Sequence, residues 1–127
     1  MAKHRRRKLL ALREQHALAQ LPPVVGFTAR LYVLRRDEGG RTMPIRNGYR
    51  VQSRFTTDQP WDNDVVVQLT GQETCAAGDE CIAQLWFAVP DAVTVTVVPG
   101  ATFILREGPN VVVRGTVTEV VHSPVTP

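Results

Sequence analysis

At 127 residues, with 43% hydrophobic and 21% charged residues, the chain has the size and usage of one globular domain. No apolar run approaches the ~18 residues a helix needs to span a bilayer, and the first apolar stretch, Leu9 to Leu12, is cut by Arg13 and Glu14, too short for a secretory signal. The net charge of +3 is uneven: residues 1–20 hold six Lys/Arg against one acid (+5), whereas the rest holds nine Arg against eleven acids (−2), which excludes a uniformly basic nucleic-acid-binding body.

In chain order, residues 1–23 read as a basic arm, helical or disordered. No β-branched residue precedes Val24, and from there Val, Ile and Thr make up about a third of the chain. Such side chains favour strands, so the boundary falls at Pro22–Pro23, where a helix would stop. As a helix, Lys8 to Gln20 would place Leu9, Leu12, His16 and Ala19 on one side. The body, residues 24–122, alternates short strands with turns. Phe27 to Arg36 is the first strand, with Phe27, Ala29, Leu31 and Val33 on one face. Asp37–Gly40 and Asn47–Gly48 are turn signals, because Gly and Asn tolerate positive φ. Tyr49 to Thr57 and Val65 to Leu69 follow as strands. Gly78–Asp79 turns into Cys81–Val89, an apolar strand. Val93, Val95 and Val97 alternate with Thr94 and Thr96 as a further strand. Phe103–Arg106 is short, Gly108–Pro109–Asn110 turns, and Val111 to Val121 closes the set, with a bulge expected at Gly115. Residues 123–127 read as a flexible tail. The pattern predicts an all-β fold, a closed antiparallel barrel of six to seven strands.

The segment from Asp37 to Gln52, DEGGRTMPIRNGYRVQ, followed by Thr56–Thr57–Asp58, resembles the start of the third, C-terminal β-barrel domain of elongation factor Tu. Gly78–Asp79 and Pro90 fall at that family's spacing, and Arg106–Glu107–Gly108 is similar to its penultimate turn. Three ordered motifs span residues 25–122, although the stretch between Pro90 and Phe103 is about four residues longer than the family's. The resemblance implies a stand-alone, non-catalytic, translation-related module in the cytoplasm. In the family this barrel packs on the GTPase domain, grips the T-stem backbone of aminoacyl-tRNA and touches the nucleotide-exchange factor. Carried onto this sequence, the RNA grip implies Arg41, Gln52, Glu107 and Gly108, with Arg50 beside them. It would read phosphates and 2′-hydroxyls rather than bases.

Two departures weaken that grip. Pro60 stands where the family has a small hydroxyl residue, and Pro109–Asn110 replaces a Gly–Arg pair. The arm, with Arg5, Arg6 and Arg7, would supply salt-sensitive attraction to phosphate instead. The expected partners are therefore tRNA or another structured RNA, or the elongation machinery itself, through the GTPase domain or the exchange factor. The second reading is a protein-interaction module that mimics the family's barrel as decoy, regulator or immunity-type protein, with Trp61 and Trp86 as its aromatic candidates. In a purely structural reading, Trp86 is core, Trp61 caps a loop, and Arg41 and Arg50 form surface ion pairs with Asp37, Glu38 or Glu107. No phosphate-binding loop or nucleophile motif occurs. Cys75 and Cys81, without a nearby histidine, suit neither a zinc site nor a disulfide framework. Neither catalysis, a cofactor, a membrane nor a small-molecule substrate is expected.

Overall fold

The computed structural model describes residues 22–124. Eight strands form: β1 (Val24–Val33), β2 (Ile45–Arg46), β3 (Tyr49–Arg54), β4 (Asn63–Leu69), β5 (Thr74–Cys75), β6 (Glu80–Phe87), β7 (Thr102–Glu107) and β8 (Asn110–His122). Six of them close into a barrel in the order β1-β6-β4-β3-β7-β8, and β2 pairs with β5 as a separate ribbon. Every pairing is antiparallel. Closure leaves the six barrel strands without a free edge.

Alternation dictates which side of each strand is buried. In β6 it is strict: Cys81, Ala83, Leu85 and Phe87 are buried and the residues between them are exposed. Phe27, Ala29, Leu31 and Val33 of β1 are fully buried, on the face the sequence assigned to them. The interior is filled at one end by all four phenylalanines. The Phe27 ring lies 5.6, 5.5 and 5.1 Å from those of Phe55, Phe87 and Phe103, edge-on to Phe55 and Phe103.

Gly115 serves this cluster and is not at a bulge. A Cβ there would lie 2.2 Å from Phe103 Cζ, so the missing side chain makes room for the ring. The register shifts occur elsewhere, between Val24 and Gly26, between Thr28 and Ala29, and between Leu105 and Arg106. The expected strand over Val93–Val97 is also absent. After a short 3-10 helix, Pro90–Ala92, the chain runs without sheet pairing. The alternation there is nevertheless physical, because Val93 and Val95 pack on the core and Val97 is buried. Trp86 points outward from β6 and is 37% exposed, against the purely structural reading that put it in the core and in keeping with its place among the aromatic contact candidates.

The first strand starts at Val24 and ends at Val33 rather than Arg36, because residues 36–38 form a 3-10 helix. Glu38 locks that turn, accepting a hydrogen bond from the Tyr32 hydroxyl at 2.6 Å and from the Arg35 N–H at 2.9 Å. Gly39 (φ 88°) and Gly48 (φ 84°) occupy the left-handed region that a turn requires and other residues avoid. The β3 strand stops at Arg54 instead of Thr57, because Arg54 Nη1 donates to the carbonyls of Thr56, Thr57 and Gln59 and curls that segment away from β7.

Candidate functional site

The positions singled out in the sequence gather where β3 and β7 run side by side. Gln52 is directly opposite Arg106, and Glu107 pairs with Asn110 across the turn at Gly108, whose φ is 56°. Period-two alternation sends Arg50 and Gln52 outward while Val51 and Ser53 are buried. Arg41 arrives from the loop before β2. Its guanidinium sits 4.7 Å above the Tyr49 ring and 3.4 Å from Glu107 Oε1, and the Tyr49 hydroxyl donates to the same carboxylate at 2.7 Å. Burial first, and then the Glu107 carboxylate, push the Tyr49 phenol well above the usual tyrosine range, so it remains a donor.

Each arginine of this surface has a carboxylate. Arg50 meets Asp64 through Nε (3.2 Å) and Nη2 (3.1 Å). Arg106 meets Asp62, which also receives Arg54 Nε at 2.7 Å. The Asp62 side chain is 5% exposed and is the hub of the network. Burial alone would raise its pKa, but hydrogen bonds from Arg106 and Arg54 outweigh that and hold it below the usual aspartate range. Sequence reasoning missed Asp62 and Arg54. The Arg–x₇–Asp spacing across the β3–β4 connection was their only trace. The ion-pair reading fits Arg41 with Glu107 and corrects the partner of Arg50 to Asp64.

Arg41, Gln52, Glu107 and Gly108 are thus brought to one region with Arg50 beside them; Arg5, Arg6 and Arg7 lie outside the described residues. Pro60 is exposed in the loop that Arg54 holds, next to Gln59, whose side chain accepts from Phe55 N–H and donates to Trp61 O. Trp61 is 49% exposed, with its indole N–H donating to Ala92 O at 2.9 Å. It fastens the 90–92 segment to the loop.

Burial pushes both thiols up, Cys81 to about 12, with Cys75 beside it adding to the rise, so neither is a ready nucleophile. Among the described residues no cluster of three or more His, Cys, Asp or Glu could hold a metal ion. The closed barrel thus displays charge-matched residues on its outside. A family model described as the elongation factor Tu C-terminal domain matches residues 21–121. The chain belongs to that family.

Proposed function

We propose that this barrel is a translation-related RNA-contacting module whose contact surface is the β3–β7 region carrying Arg41, Gln52, Glu107 and Gly108. The observation that carries the reading is convergence: residues 41, 52 and 107–108 are distant in sequence, lie within the span that the family model matches, and meet on one exposed surface. The chemistry on offer suits an A-form backbone. Arg41 and Arg50 present guanidinium donors to phosphate, Gln52 presents an amide that both donates and accepts, and Glu107 can accept from a 2′-hydroxyl. The basic arm, through Arg5, Arg6 and Arg7, adds attraction that is not tied to geometry.

A second reading is favoured by one specific observation, the matching of Arg41, Arg50 and Arg106 by Glu107, Asp64 and Asp62. Such a surface carries little net positive charge and suits a protein partner in the elongation machinery better than a polyanion. Titration of the intact chain with bulk tRNA at about 50 and 200 mM salt separates the two. The RNA reading expects Arg41→Ala and Gln52→Ala each to weaken binding by about tenfold, roughly one charge-assisted hydrogen bond. It expects R5A/R6A/R7A to flatten the salt dependence. Absence of tRNA binding at the lower salt removes the RNA reading and leaves the protein one, to be tested by direct titration with a purified translational GTPase.

A further inference from the structure

The outer face of β6 breaks the rule that the buried face obeys. Its outward positions are Glu80, Ile82, Gln84 and Trp86, and the two apolar ones are 51% and 37% exposed. Trp86 is flanked by Val66 of β4 and by Gly26 of β1, and Gly26 in turn by Val121 of β8. A Cβ at Gly26 would meet Trp86 Cε3 at 2.8 Å, so the indole lies against bare backbone. The row Val66–Trp86–Gly26–Val121 is therefore an apolar strip across four neighbouring strands. A single exposed apolar side chain needs no explanation, but a connected strip does.

The chain itself leads to this strip. Pro22 and Pro23 are fixed beside the end of β8, where His122 Nδ1 lies 2.8 Å from Pro22 O and Ser123 N–H donates to Pro23 O at 2.8 Å. Gly26 follows four residues after Pro22. The 21 residues ahead of it include Leu9, Leu12 and Leu18, and carry the chain's concentration of positive charge. Even at the ~1.5 Å per residue of a helix, the ten-odd residues between Leu9 and Pro22 span about 15–20 Å, enough to turn back over the β6 face. Charge favours that return. The first 20 residues are +5 and the rest −2. Glu119, opposite Thr28 on β8, and Asp91, in the 3-10 helix that packs on β1, form no ion pair with a described residue.

We propose that the apolar strip centred on Trp86 is the docking face for the chain's own residues 1–21, with Leu9 and Leu12 over the indole and the basic side chains toward Glu119 and Asp91. The occupant is the arm rather than a second copy because the attachment point, the reach and the charge all belong to this chain. The inference is independent of whether the partner of the β3–β7 surface is RNA or protein.

Tryptophan fluorescence of the full-length protein tests it. In Trp61→Phe the only emitter is Trp86. Covered by the arm, it should emit at short wavelength and resist acrylamide. L9D/L12D in the same background should shift the emission to the red and raise the quenching constant about twofold, with an unchanged far-UV spectrum. Because Trp61→Phe removes the hydrogen bond to Ala92, a second measurement avoids it. In the ¹⁵N-labelled protein with both tryptophans, L9D/L12D should move one of the two indole N–H resonances and leave the other. Identical spectra and quenching with and without L9D/L12D overturn the proposal. So does an emission shift that depends on protein concentration and persists in L9D/L12D, since that would assign the strip to a second copy.

Discussion

Two regions at opposite ends of the thirteen-residue β8 solve the problem of an outward-facing strand in opposite ways. Near Glu107, which pairs with Asn110, large cationic side chains are held by carboxylates: Arg41 by Glu107, Arg50 by Asp64, Arg106 and Arg54 by Asp62. Near Gly26, which pairs with Val121, the outward face is apolar, and the Trp86 indole rests on a glycine instead of a partner. The first region is complete within the described residues; the second displays surface that gains free energy only when something covers it. Orientation within the charged region is set by charge, so its side chains are placed before a ligand arrives.

The largest effect should come from breaking the charged region at its hub. Asp62→Ala leaves Arg54 and Arg106 partly buried without a carboxylate, and Arg54, which staples the loop over residues 56–59, loses the partner that orients it. We expect a loss of about 2–3 kcal/mol, read from the urea midpoint at pH 7. Asp62→Asn adds the sign. The folded carboxyl is held below its ordinary range, so its stabilisation is present above the unfolded value, about 4, and is lost as pH falls through the folded one. The gap between wild type and Asp62→Asn should therefore be full at pH 6–7 and close below about pH 4. A gap that is constant from pH 7 to pH 3 would mean that the ionised carboxylate is not what holds the network.

The apolar region breaks at its glycine. In Gly26→Ala the new methyl would sit 2.6 Å from the Leu85 carbonyl oxygen and 2.8 Å from the indole. The oxygen is backbone and cannot step aside, so the strand pair must shift. Overpacking of this kind costs about 1–3 kcal/mol, and we place this case near 1–2 because the indole lies on the barrel's outer face rather than in its core and can shift. The urea midpoint measures the cost, and a change in Trp86 emission reports the displaced ring. An unchanged midpoint would show that the close approach is not part of the folded state.

These regions also differ in how far the sequence foretold them. The barrel was legible because alternation along segments such as Phe27–Val33, between regularly spaced turn signals, leaves one face to bury. The gathering of Arg41, Gln52 and Glu107 was legible only through the motif resemblance, since nothing in local pattern brings residue 41 to residue 107. Asp62 was not legible: its role depends on Arg106, forty-four residues away, crossing from another strand. The two readings of Trp86, core or exposed contact, stayed open because an apolar run such as Leu85–Trp86–Phe87 does not say which of its alternate positions faces inward. Val93–Val97 shows the converse, an alternation that sets burial without ever pairing into a sheet.

The smallest effect sharpens the contrast. Arg41 and Glu107 are both partly exposed, at 26% and 47% of their side chains. Pairs of that exposure couple by about 0–1 kcal/mol, and the guanidinium over Tyr49 adds about 0.5–1 kcal/mol of its own. A double-mutant cycle of Arg41→Ala and Glu107→Ala should therefore return a coupling free energy under about 1 kcal/mol, and Arg41→Ala alone a modest loss of about 1 kcal/mol that survives in the Glu107→Ala background through Tyr49. If the cycle returns a coupling as large as the Asp62 effect, Arg41 is a structural residue, and a loss of partner binding on its removal would report unfolding of the site rather than a missing contact. A small coupling makes Arg41 expendable to the fold, as a residue kept for a ligand would be.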